Sequence, residues 1–362
     1  MTDLPKKAKV KRGAFTLIEV MLAASIMVVI IGAVLVAVGN IMESWNRSSG
    51  RIQGYTEGDA LADFMAQDLE SMVVKRDGKA WMQVIYPYNV GDLTGTSVGG
   101  LPIRPPQIMF FSPTYLRPRF DSSQMMNKAT ERTPIPGSIC AVKYQLSYKN
   151  PFMDGSANEG SNANQPNAFY GLYRAVLDSR STFEDALGDA QGDEMTNEYA
   201  LANFWAGSAT VLNENGAYVR GTDLKSWVLS PENFLAPNVV DFQVTFGIMY
   251  KEERALGPEE SPYSVAYIPP GTAFTIADKI YVDGQLYKRS DGGGLAAVSP
   301  VEVENGFLSF AEISVTFISD AGAMELKNLK GSDKSLQKFQ ELRQVHGTTT
   351  SRKIQFRVQP AE

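Results

Sequence analysis

A chain of 362 residues, 44% hydrophobic and 20% charged, has ample material for a large globular body. Its formal net charge of -6, with no dominant basic patch, excludes nucleic acid as a bulk electrostatic partner; its lone cysteine, Cys140, excludes an intramolecular disulfide. The single histidine, His346, rules out histidine-based metal clusters and leaves a Ser-His-Asp triad one candidate, so no metal, cofactor or catalytic residue is expected.

The chain begins with a basic segment holding Lys6, Lys7, Lys9, Lys11 and Arg12. An apolar run follows from Phe15 to Val38, interrupted only by Thr16, Glu19, Ser25 and small residues. As a helix of about 24 residues it measures about 36 Å, enough for a bilayer core of about 30 Å. The cations ahead of it place the N-terminus in the cytoplasm and the rest of the chain beyond the membrane. A cleaved secretory signal has an apolar region of only about 7–15 residues and a small-residue cleavage site. This run is longer and continues into Ile41, Met42 and Trp45, and Ala37-Val38-Gly39 is a poor cleavage site. A plain membrane anchor is the simpler alternative, and Glu19 argues against it. A carboxylate in an apolar helix costs about 2.5–3.5 kcal/mol at the bilayer centre, less near the interface, and needs a partner.

The run Gly13-Ala14-Phe15-Thr16-Leu17-Ile18-Glu19-Val20 closely resembles the prepilin cleavage and methylation motif of type IV pilins and type II secretion pseudopilins. The resemblance implies that a prepilin peptidase removes the basic leader and that the new N-terminal residue is methylated. Cutting after Ala14 makes Phe15 the first residue and Glu19 the fifth, as in the family; cutting after Gly13 makes Glu19 the sixth. The Ala14 site is preferred, although the family usually has glycine before the cut. The family's model pairs the new N-terminal amine with the glutamate of a neighbouring subunit, which offsets part of the desolvation of both groups. Phe15 and Glu19 are thereby the expected methylation and assembly residues, with other pilins and the inner membrane as partners.

Beyond the membrane segment, Ile41, Trp45, Ile52, Tyr55, Ala62, Leu69 and Val73 recur mostly at helical spacing and are expected to form one inward face. Gly50, Gly54 and Gly58 weaken the middle of that helix; close packing against a sheet is favoured over a flexible joint. The turn Lys75-Arg76-Asp77-Gly78 is expected to end it. Four segments are then expected to start and end as follows: 1–14 leader, 15–39 membrane helix, 40–75 amphipathic continuation, and 76–362 periplasmic body.

In the body the pattern changes to period two. Val142-Tyr144-Leu146-Tyr148, Val240-Phe242-Val244-Phe246, Ile313-Val315-Phe317 and Ile354-Phe356-Val358 read as strands with one wet face. Asn215-Gly216 and Asp283-Gly284 are hairpin signals. A helix is expected over 332–345 with Leu336, Phe339, Leu342 and Val345 inward, and His346 should lie on a surface turn with Gly347-Thr348-Thr349-Thr350. The whole reads as α+β, a long N-terminal helix packed on antiparallel sheet.

Asn150 to Asn167 reads as a flexible loop, and Asp291-Gly292-Gly293-Gly294 as a turn lacking the features of a phosphate loop. Asp185, Asp189, Asp193 and Glu194 form an acidic loop; with Gly192 as sixth residue of a calcium loop, Leu187 falls on the first ligand position, so a solvated loop is preferred. Within the pilin-like family, Phe64 with Asp68-Leu69, the tyrosine-rich strand at 142–148, Gly171-Leu172-Tyr173-Arg174, Asn238-Val239-Val240-Asp241-Phe242 and Ala311-Glu312-Ile313-Ser314-Val315 resemble a J-type minor pseudopilin. The size also resembles a pilin-like protein of the Verru_Chthon cassette. The expected function is a non-catalytic minor subunit that primes or tips a filament. The alternative is a displayed adhesin or substrate-binding module using residues 150–235.

Overall fold

The computed structural model describes residues 16–76, 79–86, 105–113, 139–151, 169–177, 179, 182–183, 210–212, 218–220, 228–229, 231–252, 263–289, 294–328 and 336–356. Helix α1 runs Leu17–Glu70. The strands are β1 Met82–Ile85, β2 Gln107–Ser112, β3 Cys140–Lys149, β4 Phe169–Val176, β5 Thr210–Leu212, β6 Tyr218–Arg220, β7 Phe234–Pro237, β8 Val239–Lys251, β9 Tyr263–Ile268, β10 Ala273–Ile276, β11 Ile280–Asp283, β12 Leu286–Arg289, β13 Leu295–Val298, β14 Phe307–Ile318 and β15 Gly347–Gln355. Further α-helices among the described residues are α2 Pro300–Val303, α3 Asp320–Asn328 and α4 Leu336–His346, and Pro231–Asn233 forms a 3-10 turn. The chain divides into two compact units, Met1–Gly50 and Arg51–Glu362.

The second unit carries two larger sheets and a small hairpin. The first sheet has strand order β11-β10-β1-β2-β3-β4-β7, the second β13-β12-β9-β8-β14-β15, and β5 pairs with β6. All the described pairings are antiparallel, which makes the molecule α+β. One apolar cluster joins both sheets: Val84, Phe110, Val142 and Tyr144 from the first meet Phe246, Ile248, Ile313 and Val315 from the second. The Phe246 and Phe274 rings, one from each sheet, lie 4.9 Å apart in a T-shaped contact. Leu61, Met65, Ala66 and Leu69 of α1 belong to the same cluster. Each fully buried Leu or Met contributes about 1.5–3 kcal/mol.

Strands β3, β8, β14 and β15 cover the four segments expected from alternation, except that Phe356 follows β15 and Val358 lies outside the described residues. The wet face expected for β3 is largely buried among its described side chains. Lys143 is 4% exposed and Ser147 8%, because a second cluster, with Trp81, Met109, Phe111, Ala141 and Tyr173, covers the other side of the first sheet. Strands β5 and β6 pair antiparallel on either side of Asn215-Gly216, as expected for a hairpin, and the dipeptide itself lies outside the described residues.

Asp283-Gly284 does not close a hairpin. Among the described strands β11 pairs with β10 alone, in the first sheet, while β12 pairs with β9 and β13, in the second. Gly284 (φ 146°) therefore lies where the chain passes between sheets. Gly271 (φ 92°), between β9 and β10, and Asn238 (φ 55°), between β7 and β8, stand at two other crossings. These are the positive-φ residues among the described ones, and such backbone favours Gly or Asn. The Asp-Gly dipeptide supplies positive-φ backbone, and here that backbone carries the chain from one sheet to the other rather than through a turn within one.

Helix α1 ends at Glu70, before the expected Lys75-Arg76 turn. Its face is also assigned differently. Ile41, Trp45, Ile52 and Tyr55 are 67, 73, 68 and 54% exposed, while Leu61, Ala62, Met65 and Leu69 are buried. Within the second unit, Gly54 and Gly58 are on the packed side. A Cβ on Gly54 would lie 3.3 Å from Thr348 Cβ, and one on Gly58 2.7 Å from Thr350 Oγ1. Close approach of helix to strand, the favoured reading of these glycines, accounts for both.

Candidate functional site

The most distinctive segment is the first half of α1. Residues Leu17–Met42 form a 26-residue stretch of mean hydropathy 2.9, none of it buried, long and apolar enough to cross a membrane. Glu19 is its sole charged residue. The expected leader cations Lys6, Lys7, Lys9, Lys11 and Arg12, and the expected processing residues Gly13, Ala14 and Phe15, lie outside the described residues.

Glu19 has a local partner that the sequence reading missed. Its carboxylate accepts hydrogen bonds from the Thr16 backbone N–H at 2.9 Å and the Thr16 hydroxyl at 3.0 Å. The Glu19 N–H in turn points to Thr16 Oγ1 at 3.4 Å. This reciprocal pairing is a capping box, and its signal, Thr three residues before Glu ahead of an apolar run, was available in the sequence. The carboxylate is also favourably placed against the positive end of the helix dipole. Farther along, the Ser25 hydroxyl donates to Met21 O at 2.8 Å, so that polar group too is satisfied within the helix. Among the described residues nothing lies within 4 Å of a Cβ built on Gly32 or Gly39.

A second polar constellation fixes the other end of α1 to the first sheet. Arg174 on β4 donates to both oxygens of Asp68, from Nε at 2.7 Å and Nη2 at 3.0 Å. The Tyr144 hydroxyl on β3 donates to the same carboxylate at 2.6 Å. The guanidinium lies 4.8 Å from the Phe64 ring centroid, and its Nη1 is buried without a hydrogen-bond partner among the described residues. Burial, reinforced by the Asp68 charge, pushes the Tyr144 phenol well above its ordinary range. The phenol therefore stays protonated and can only donate to Asp68. Phe64, Asp68, Tyr144 and Arg174, singled out separately in the sequence, thus converge on one place.

His346 is the last residue of α4 and is followed directly by β15, so it is not on a surface turn. Its side chain is 13% exposed; Nε2 is 3.4 Å from Glu325 and Nδ1 3.4 Å from Ser319 Oγ. That set has the residue types of a catalytic triad, yet the serine hydroxyl accepts the Gly322 N–H at 3.3 Å, a capping contact in the first turn of α3. The arrangement ties α3 to the α4–β15 junction. Phe339 and Leu342 of α4 are buried as expected, whereas Val345 is 42% exposed and the Leu336 side chain lies outside the described residues. Among the described residues no group of three or more His, Cys, Asp or Glu side chains is placed to hold a metal ion. The acidic residues Asp185, Asp189, Asp193 and Glu194 lie outside that set.

No protein-family model, curated protein or solved structure matches this chain.

Proposed function

We propose that this protein is a pilin-like subunit: an inner-membrane protein whose leader is cut by a prepilin peptidase and whose N-terminal helix then packs with other pilins into a filament. The observation that carries this reading is the helix Leu17–Met42, wholly unburied and apolar, with Glu19 as its one charge. The pilin-like run from Gly13 to Val20 immediately precedes and overlaps it. Gly32 and Gly39 add support. Glycine inside a helix costs about 1 kcal/mol relative to Ala, and nothing among the described residues approaches a Cβ built on either one. Close helix–helix contact with another subunit supplies a reason for both.

On this reading Phe15 becomes the methylated N-terminus. Glu19 exchanges its Thr16 hydrogen bonds for the N-terminal amine of a neighbour, in surroundings without water. The body is carried as a non-catalytic minor component, of the J-type pseudopilin or the Verru_Chthon kind. The test is the mass of the N-terminal peptide from protein made in its own host. A peptide beginning at methylated Phe15 is expected. An intact leader from Met1, in cells with active peptidase, overturns the proposal.

A further inference from the structure

The first half of α1 also carries information about depth. The polar boundary after the apolar stretch is abrupt: Met42-Glu43-Ser44-Trp45 is followed by Asn46-Arg47-Ser48-Ser49. Trp45 lies at that boundary with 73% of its surface exposed, and α1 is unbroken through it. At the other boundary the Thr16–Glu19 box closes the helix end, satisfying the charged group and a backbone N–H together. At 1.5 Å per residue the helix rises about 39 Å from Glu19 to Trp45. Set upright in a hydrocarbon core of about 30 Å, or about 40–45 Å with both headgroup regions, a helix of that length brings both residues to headgroup level.

We propose that the Thr16–Glu19 cap and Trp45 mark the two headgroup levels of a bilayer, with Trp45 the side chain that holds the helix at that depth. The partner surface is phospholipid. An indole suits it because its rings are apolar and its N–H donates to interfacial oxygens. With Glu19 seated at the cytoplasmic interface, its carboxylate remains hydrated while the protein is in the membrane. The cost of burying that charge then falls at removal from the membrane rather than at insertion. The inference rests on the membrane-anchored reading above and adds to it a register along the bilayer normal.

Nitroxide labels on the full chain in phospholipid vesicles test it, at single cysteines Ile18→Cys, Ile31→Cys and Ser44→Cys, with the unsubstituted chain and its buried Cys140 as the labelling blank. Depth is read from relaxation by oxygen against relaxation by a water-soluble nickel chelate. The label at position 31 is expected to be deepest, and those at 18 and 44 shallow and similar. Trp45→Ala is expected to move the label at position 31 off the midplane by about two residues of rise, ~3 Å, and Trp45→Tyr to leave it in place. A label at 44 as deep as that at 31, or a profile indifferent to Trp45→Ala, overturns the proposal. The N-terminal mass separates the two ideas. An unprocessed leader with the expected profile removes the filament reading alone; methylated Phe15 with a displaced profile removes the depth assignment alone.

Discussion

Asp68 shows how much can depend on one carboxylate. Its two oxygens hold Arg174 and Tyr144 across the boundary between α1 and the first sheet, and the guanidinium is 1% exposed. Removing one partner of a buried pair costs about 3–5 kcal/mol, because the other charge is left uncompensated. Asp68→Asn is therefore expected to lower the thermal midpoint of the full chain in detergent sharply. The combined Asp68→Leu, Tyr144→Phe and Arg174→Met variant should recover most of the loss, since an apolar set needs no compensation. A combined variant as unstable as Asp68→Asn would show that the pair does more than satisfy its own burial. Asp241 presents the opposite balance. Burial pushes its carboxyl above the ordinary range, although Arg343 at 2.8 Å and Gln243 at 3.2 Å favour the charged form. The folded state thus holds this proton more tightly than the unfolded chain. Its contribution to stability is fullest below the unfolded value of about 3.9 and is lost as pH rises through the folded value. Asp241→Asn, which does not titrate, is expected to gain stability relative to the natural chain between about pH 3 and pH 6. Denaturant midpoints of the two chains across that range check the sign; a difference that shrinks with pH would mean that Arg343 outweighs burial.

At the level of elements, the contact of α1 with β15 is set by Gly58 and Thr350. A methyl on Gly58 would meet Thr350 Oγ1 at 2.7 Å and Thr350 Cβ at 3.2 Å. Gly58→Ala gains about 1 kcal/mol of helix propensity, but overpacking costs about 1–3 kcal/mol, so a net loss is expected. Thr350→Ala removes the obstructing hydroxyl, which is itself buried without a partner among the described residues. The double variant should be more stable than the sum of the single effects; simple additivity in thermal unfolding would refute the contact. This helix also marks a limit of the sequence reading. Spacing of three and four makes the apolar residues from Ile41 to Val73 one face, yet that face is not buried along its length. Ile52 and Tyr55 are exposed while Ala62 and Leu69 are buried, and periodicity alone does not say where along the helix the body begins to cover it. Strands β3, β8, β14 and β15 were legible because alternation is local. The covering of both faces of the first sheet was not, since it arises from residues such as Trp81 and Leu229, far from β3 in the chain. The Asp68 constellation was hidden similarly: its partners lie 76 and 106 residues away. Glu19 was legible as an unusual charge, and its Thr16 cap was visible but passed over.

For the molecule as a whole, the issue is how far the two compact units depend on each other for folding. The second unit, Arg51–Glu362, contains the α1 residues of the shared core and the described strands of both large sheets. Its three sheet crossings, at Asn238, Gly271 and Gly284, all lie inside it as well. The first unit, Met1–Gly50, contributes no side chain to the apolar clusters among the described residues. A chain starting at Arg51 therefore retains the described core contacts, while it loses the helix that is long and apolar enough to cross a membrane. It is expected to be recovered without detergent and to unfold cooperatively, with a thermal midpoint close to that of the full chain in detergent. The shortened α1 still keeps Gly54, Gly58 and Asp68, the points at which it meets β15 and the first sheet. Circular dichroism melts of the two chains, together with their partition between membrane and soluble fractions, check this. A truncated chain that melts without cooperativity would mean that the body needs the first unit to fold. One that folds but remains in the membrane fraction would place a membrane contact in the body, in addition to any made by Leu17–Met42.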